Sequence, residues 1–223
     1  VEFSNDSKLD SIEPWAFAYS SIETLTIPSK ICKIEYNVFC QCNFLREVNF
    51  LSDSKLTIIE DRAFYSSSIR SITIPKLVMK IGERAFISCI NLRYVEFHKD
   101  SKMNLILESA FESSGLQRFS LPDKVARIEN RTFFGCFQMK RIEFSEKSEL
   151  KSIGEFAFAN NAISGIVLPS KLQFIEDCAF MRCKKLLILE VPDMNDLKFL
   201  HKDVFHCSSA QIILGPPGLE SVY

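Results

Sequence analysis

Eight cysteines are the residues of this chain most able to do chemistry, because thiolates bind metals, exchange disulfides and act as nucleophiles. The Cys40-x-Cys42 pair and the Cys178/Cys183 pair have the close spacing of metal or redox sites. No second Cys or His pair stands at a matching ligand spacing, so a metal or redox site is the weaker interpretation of both pairs. The sequence therefore predicts no metal site.

The three histidines, His98, His201 and His206, are scattered through the chain and do not form a catalytic motif. No Ser/His/Asp order, HExxH, P-loop or GxGxxG pattern is present. With only seven glycines, no loop is rich enough in glycine to cradle a phosphate. These observations predict a protein that is not an enzyme and that uses no cofactor.

The charge balance excludes one large class of partner. The chain has 27 Lys and Arg against 28 Asp and Glu, a net charge of −1, so no charge excess is available to neutralise nucleic-acid phosphates. It is 47% hydrophobic and 25% charged, as folded globular proteins are. No window approaches 18 consecutive apolar residues, so we expect no transmembrane helix.

An internal repeat positions all of these residues. The unit Ile-x-x-x-Ala-Phe and its looser copies recur along the chain, and their phenylalanines are spaced alternately 22 and 25 residues apart. Two units therefore form a super-period of 47 residues. The nine repeat phenylalanines are Phe17, Phe39, Phe64, Phe86, Phe111, Phe133, Phe158, Phe180 and Phe205.

A second pattern, apolar-x-x-apolar-x-apolar, follows each phenylalanine and predicts a strand. In Ile22-Glu-Thr-Leu25-Thr-Ile27 the last three residues alternate as a half-buried strand requires. Pro28 follows at once, and proline ends a strand because it cannot donate to the ladder. The opening segment 1–9 matches the end of a longer unit, so we expect the chain to begin inside a repeat.

The Ile-x-x-x-Ala-Phe stretch predicts a short helix, because Ile81, Ala85 and Cys89 stand at i, i+4 and i+8 on one helical face. Each unit is then a strand, a turn, a short helix and a turn. No unit can bury its apolar side alone, so the units must stack into a solenoid. We predict an α/β solenoid domain over residues 1–223, with about nine to ten units and a C-terminal tail at 215–223.

The distance between stacked units decides whether the periodic thiols can form disulfides with one another. These thiols are Cys42, Cys89, Cys136 and Cys183. They recur every 47 residues, in alternate units, so about 10 Å separates neighbours if adjacent units lie about 4.8 Å apart. A disulfide needs Cα atoms within about 7 Å. We therefore expect a ladder of small buried thiols. A Cys183–Cys207 bond is the weaker alternative, since the units of these two cysteines are adjacent.

The unit Ile-Gly-x-x-Ala-Phe-x-x-Cys-x-x-Leu-x-x-Ile/Val-x-Leu/Phe-Pro resembles the BspA-like, Treponema-type leucine-rich repeat, most clearly at 81–97 and 153–169. The resemblance covers residues 1–214. It implies a curved, right-handed leucine-rich-repeat solenoid, with parallel strands on the concave face and the short helices on the convex side. It also implies a surface protein that adheres to host cells or matrix, a surface antigen of anaerobic bacteria or parasitic protists.

The outward strand positions of the middle units are rich in basic residues, and arginine and tyrosine are favoured anchors of interfaces. We predict a partner site on the concave face for an acidic protein or glycan surface. The alternative is a solvated face whose arginines pair with Glu96 and Glu143 across strands. The predicted site residues are Arg46, Arg70, Arg93, Tyr94, Arg118, Lys140 and Arg141.

Further along, the same face turns apolar at Val167, Leu187 and Ile188, where either the tail covers it or a partner binds. Two sequons, at Asn5 and Asn130, are candidate glycosylation sites for a secreted protein. Two functions remain open: a cell-surface or secreted adhesion module, and an intracellular, cytoplasmic scaffold or assembly component. Eight thiols that look unpaired fit the scaffold, because reducing compartments keep thiols free.

Overall fold

The structure, a computed structural model, describes residues 3, 7–190, 199–200, 203–209 and 212–214. This part of the chain contains 17 strands and no helix. None of its elements is a helix long and apolar enough to cross a membrane. The strands are β1 (Thr24–Ile27), β2 (Lys33–Ile34), β3 (Glu47–Phe50), β4 (Ile58–Ile59), β5 (Ser71–Ile74), β6 (Lys80–Ile81), β7 (Tyr94–Phe97), β8 (Leu105–Ile106), β9 (Arg118–Ser120), β10 (Arg127–Ile128), β11 (Arg141–Glu143), β12 (Ser152–Ile153), β13 (Gly165–Val167), β14 (Phe174–Ile175), β15 (Ile188–Glu190), β16 (Phe199–Leu200) and β17 (Ile212–Leu214).

The strands form two parallel faces of a solenoid. The odd-numbered strands, three or four residues long, form the long-strand face, and the two-residue even-numbered strands form the short-strand face. Each strand pairs with the equivalent strand of the neighbouring coil, as Leu25 does with Val48 and Ile72 with Val95. Pairing on the long-strand face is interrupted between β7 and β9 and between β11 and β13. The predicted stack of repeat units with parallel strands is confirmed.

The predicted short helices are wrong: the segment around each repeat phenylalanine is a chain of turns. In every coil from Phe17 to Phe180, the residues two before and two after the phenylalanine have positive φ, as Arg84 (56°) and Ser88 (59°) do beside Phe86. A right-handed helix cannot pass through such residues. Ile81, Ala85 and Cys89 are all buried, as predicted, but consecutive turns bring them to the same side.

Backbone amides in these turn segments alternate between two kinds of partner. Every second amide closes a turn within its own coil, and the amides between them donate to carbonyls of the next coil. Around Phe86 the turn bonds run from Ala85 N to Gly82 O, Ile87 N to Arg84 O and Cys89 N to Phe86 O. The bonds to the next coil run from Arg84 N to Glu108 O, Phe86 N to Ala110 O and Ser88 N to Glu112 O, at 2.7 to 3.0 Å. Positive φ costs a non-glycine residue about 1 kcal/mol, and these hydrogen bonds offset that cost.

The repeat phenylalanines form a continuous stack through the core. Adjacent rings are 4.9 to 5.7 Å apart between centroids and within 21° of parallel, from Phe17 to Phe205. Offset stacking of this kind adds to the gain from burying the rings. Isoleucines, leucines and valines of both strand faces, such as Ile72 and Ile81, close the core around the stack. The spacing of the phenylalanines thus records the spacing of the coils.

The four periodic cysteines form the predicted ladder of buried thiols. All four are free and fully buried: Cys42, Cys89, Cys136 and Cys183. Each thiol donates to the carbonyl of the repeat phenylalanine 25 residues earlier, at 2.9 to 3.1 Å. Burial raises the pKa of Cys89 and Cys136 to about 12 and that of Cys183 to about 11. Each thiol thus adds a second hydrogen bond to a phenylalanine carbonyl that already accepts one, from the backbone amide of Ser20, Ser67 or Ser114 or from the side-chain amide of Asn161.

The other cysteines that were candidates for pairing are also free thiols in the structure. The Cys183–Cys207 bond does not form in the structure, because Cys207 is exposed while Cys183 is buried, and both are free. Cys40 is buried and free beside Cys42, and Cys178 is free and half-buried. Within the described residues, no group of three or more His, Cys, Asp or Glu side chains is arranged to hold a metal.

Replacing Phe86 with alanine should lower the free energy of unfolding by about 3–5 kcal/mol, because the ring is fully buried and stacks on both Phe64 and Phe111. Urea unfolding followed by circular dichroism measures the change. Phe137→Ala is the matched control, since that ring is 71% exposed, and it should change stability by less than about 0.5 kcal/mol. A Phe86→Ala loss no larger than the control's would contradict a stabilising stack.

The buried thiols predict a loss of stability in alkali. Below the pKa of an unfolded thiol, roughly 8.5, both states are protonated and the stabilisation is complete. As pH rises from there towards the folded pKa of about 12 for Cys89 and Cys136, only the unfolded state loses protons, so the free energy of unfolding falls. We expect each thiol to account for about 2 kcal/mol of the loss between pH 8 and 10.

The test compares urea unfolding at pH 8 and pH 10 in the wild type and in a Cys89→Ala/Cys136→Ala variant. The variant starts less stable but should lose less stability on going to pH 10. Cys32→Ala is the control, because Cys32 is exposed and its removal should leave the alkaline loss unchanged. An equal alkaline loss in the wild type and the double variant would rule out the buried thiols as its cause.

Candidate functional site

The predicted basic residues occupy two adjacent positions of the repeat, which form two lines side by side along the long-strand face. We call these two lines together the basic column. Arg46, Arg70 and Arg93 occupy the position just before a long strand, and their backbones are joined coil to coil: Arg70 N donates to Arg46 O at 3.1 Å and Arg93 N to Arg70 O at 2.8 Å. Lys140 continues this line after Gln117, with a backbone bond of 2.9 Å. Strand register thus brings basic residues from successive units side by side.

The second column contains the closest like-charged neighbours. Arg118 of β9 and Arg141 of β11 are direct register partners, and both side chains are exposed. Like charges directly opposite each other on a sheet are destabilising. Tyr94 lies one coil earlier at the equivalent position, with its ring centroid 5.1 Å from the Arg118 guanidinium carbon. The Tyr94 hydroxyl donates to the Gln117 side chain at 3.1 Å, which holds the ring in place.

Not every predicted site residue is equally available to a partner. Arg46, Arg70, Arg118, Lys140 and Arg141 are exposed. The half-buried Arg93 already donates through Nη1 to the carbonyls of Ile90 and Gly115, at 2.5 and 3.3 Å. A Cβ at position 115 would overlap that guanidinium, so the glycine there makes room for it. Arg93 therefore stabilises the loop more than it offers a free charge.

The predicted alternative, pairing with Glu96 and Glu143 across strands, is present only in altered form. Arg141 pairs with Glu143 along its own strand at 2.9 Å, and Arg46 reaches Glu23 at 3.9 Å. Glu96 makes no ion pair with any described residue. In the same part of the chain, no carboxylate lies within 4.0 Å of the charged nitrogens of Arg70, Arg118 or Lys140.

A groove lies beside the basic column, where β7 and β9 are not paired. It encloses about 570 Å³ and is lined on one side by Tyr94 and Arg118 and on the other by Glu96, His98 and Glu143. Ser120 donates to Glu143 at 2.9 Å within it. Beside this groove, Arg118 and Arg141 thus stand at the first position of their strands, and the carboxylates of Glu96 and Glu143 stand at the third position of theirs.

Further along the long-strand face, the side chains turn apolar as predicted. Val167 is 54%, Leu187 51% and Ile188 44% exposed. The segment 215–223, expected either to cover this patch or to leave it open, lies outside the described residues. The patch is an exposed apolar surface next to the basic column, and such surfaces commonly contact partners.

The two sequons differ in what the structure says of them. Asn5 lies outside the described residues. The half-buried Asn130 accepts the Glu155 backbone amide through Oδ1 at 3.0 Å. Thr132 of the same sequon is 1% exposed and donates to the Glu129 carbonyl at 2.7 Å. Asn130 thus takes part in the contact between coils in the folded chain.

Sequence analysis missed a second surface, on the turn segments of the first four coils, which we call the aromatic cleft. Its walls are the exposed rings of Trp15, Tyr19 and Tyr36, together with Tyr65. The repeat itself indicated this surface. Trp15 and Tyr19 occupy the two positive-φ positions beside Phe17, and the side chains at these two positions lie outside the core. Assigning these positions to a helix concealed the arrangement.

This chain is similar to several solved structures, and the likeness to the first of them shows the same fold. A leucine-rich repeat protein from Bacteroides ovatus superposes with a TM-score of 0.66 at 22% identity, over 96% of this chain and 59% of that one. A leucine rich cell surface protein from Faecalibacterium prausnitzii is 23% identical over 87% of this chain and 60% of its own, with a TM-score of 0.48. The pneumococcal vaccine antigen PcpA is 20% identical over 86% and 66%, with a TM-score of 0.48.

This chain therefore spans about 60% of the first two of these proteins. No curated protein matches it significantly. The model of the BspA-type leucine-rich repeat region matches residues 1–93, 57–187 and 104–223, which together cover the chain, and contains six copies of the repeat. The resemblance seen in the repeat unit is thereby confirmed. The chain belongs to the BspA-type leucine-rich repeat family, whose members are generally non-catalytic modules that bind proteins.

Proposed function

We propose that this chain is a recognition module that binds an acidic partner through the basic column of its long-strand face. The observation that carries the proposal is the juxtaposition of Arg118 and Arg141 as direct register partners, both exposed. Glu143 already pairs with Arg141, so a bound carboxylate or sulfate would gain charge-assisted hydrogen bonds chiefly from Arg118, whose guanidinium has no carboxylate within 4.0 Å among the described residues.

The partner we favour is a protein, with an acidic glycan as the second source of the same chemistry. Tyr94 and Arg118 supply an aromatic and guanidinium pair of the kind that anchors protein interfaces. The exposed apolar patch at Val167, Leu187 and Ile188 extends the same face and would add buried area. Glu96 and Glu143, on the opposite side of the groove, would orient a partner that carries both charges.

We place this activity at the cell surface, in adhesion or in recognition of host cells or matrix. The support is the resemblance of the repeat unit to surface proteins of the BspA type.

An intracellular scaffold that uses the same face is the second candidate. Its support is the set of eight free cysteines, since oxidising compartments favour paired thiols.

Reversing two charges of the basic column should weaken partner binding. We expect dye-labelled protein to bind cultured epithelial cells saturably in flow cytometry, and Arg70→Glu/Arg118→Glu to weaken this binding at least about tenfold. Neither arginine makes an ion pair within the described residues, so the double variant should fold as the wild type does. Higher salt should weaken the wild-type interaction, because exposed charges are screened.

The control variant is Lys55→Glu/Lys151→Glu, which makes the same charge change at exposed sites beside the short-strand face. It should bind as the wild type does. Equal losses in both double variants would mean that net charge alone weakens binding. Unaltered binding by Arg70→Glu/Arg118→Glu would overturn the proposed site. No saturable binding of the wild type to cells or to their deposited matrix would count against adhesion.

The intact mass of the natively purified protein separates the two candidate compartments. The thiols are alkylated in urea without reductant, because the buried cysteines are inaccessible in the folded state. A glycan at Asn5 or Asn130, or any protected pair of cysteines, would establish passage through an oxidising, secretory route. Eight alkylated cysteines and no glycan are expected for the scaffold.

A further inference from the structure

We propose that the aromatic cleft binds an acidic saccharide, independently of the basic column. The cleft lies on the turn segments of the first four coils, on a different part of the surface from the long-strand face. Its volume of about 640 Å³ falls within the range of small-ligand pockets, roughly 300–1,000 Å³.

The rings of the cleft are held in place before any ligand arrives. Trp15 and Tyr19 are parallel within 6°, with centroids 6.5 Å apart, and Tyr36 stands nearly perpendicular to Trp15 at 5.7 Å. The indole Nε1–H of Trp15 donates to the Tyr36 hydroxyl at 2.8 Å, which ties two coils together at this point. Positive φ at Trp15 and Tyr19 directs both away from the core. A ligand therefore meets rings that need little further ordering.

The fold does not require aromatic rings at positions 15 and 19, since the equivalent outward positions of another coil carry Arg84 and Ser88. Trp15 is 44%, Tyr19 63% and Tyr36 43% exposed, whereas the repeat phenylalanine Phe39 close to them is fully buried. A flat π face attracts the weakly positive C–H groups on one side of a pyranose ring. Parallel rings 6.5 Å apart leave no room for a cation between them, which argues against an aromatic cage for a quaternary ammonium group.

The charge of the cleft indicates an acidic sugar. Arg62 and Arg84 line it, and none of its lining residues is acidic. Arg84 shares its charge with Glu83 at 2.6 Å, whereas no carboxylate among the described residues lies within 4.0 Å of the Arg62 guanidinium. A guanidinium binds a carboxylate or sulfate through two parallel hydrogen bonds. The half-buried Gln41 adds an amide group suited to sugar hydroxyls.

Trp15 is the sole tryptophan of the sequence, so its fluorescence reports on the cleft directly. We would titrate the purified chain with a hyaluronan hexasaccharide, which alternates uronic acid and N-acetylated sugars. Maltohexaose is the neutral sugar of equal length. A glutamate decapeptide and a thymidine decanucleotide are the acidic probes without pyranose rings, and they present carboxylates and phosphates respectively. We expect a saturable change with hyaluronan and at least about tenfold weaker binding of the other three probes.

Two variants test the two parts of the cleft, Tyr19→Ala for the platform and Arg62→Gln for the charge. Each should weaken hyaluronan binding at least about tenfold. Phe137→Ala and Lys151→Gln are the controls, an exposed ring and an exposed basic residue outside both the cleft and the basic column, and should leave the titration unchanged. Circular dichroism of all four variants checks that each is folded.

The proposal is overturned if hyaluronan gives no saturable response, or if Tyr19→Ala and Arg62→Gln bind as the wild type does. Tighter binding of the peptide or the nucleotide would also overturn it, since either would identify a different class of ligand. The Arg70→Glu/Arg118→Glu variant separates this site from the basic column. It should lose cell binding and keep the fluorescence titration, so each proposal can fail without the other.

Discussion

The alternation of backbone hydrogen bonds in the turn segments is the constraint on which the rest of this structure depends. One amide in two closes a turn within its coil, and the next one donates to the neighbouring coil. This pattern holds successive coils at the spacing of parallel strands, about 4.8 Å. The repeat phenylalanines then lie 4.9 to 5.7 Å apart, which is also a favourable distance for offset stacking. Backbone and core thus require the same repeat distance.

The same spacing determines what the surface can present. Any residue type that recurs at one position of the repeat becomes a column with neighbours about 5 Å apart. At core positions this gives the stack of rings and, in alternate coils, the thiols that donate to phenylalanine carbonyls. At outward positions it gives the basic column, where Arg118 and Arg141 have no freedom to separate their backbones. A binding surface therefore follows from repeat position as directly as the core does.

The sequence was sufficient for the long-range order and insufficient for the local backbone. The 22 and 25 residue spacing predicted the stack, the long strands, the buried thiols and the alignment of Arg46, Arg70 and Arg93. It could not separate a helix from a chain of turns, because Ile81, Ala85 and Cys89 have the same spacing in both. The difference lies in whether Phe86 N bonds within its own coil or to Ala110 of the next, which local periodicity does not record. The residue types at the positive-φ positions, such as arginine and tryptophan, did not indicate turns, since neither favours that conformation.

The direction of the coil-to-coil hydrogen bonds also has a mechanical consequence. These bonds run along the stacking axis, so tension along that axis would pull directly on them at one interface between coils. No disulfide among the described cysteines ties distant coils together, and each coil is held chiefly by its two neighbours. The solenoid would therefore extend by peeling from an end, one coil after another, and each step would release roughly 70–90 Å of extended chain. Such a molecule yields gradually under shear and absorbs work while the remaining coils keep their surface intact.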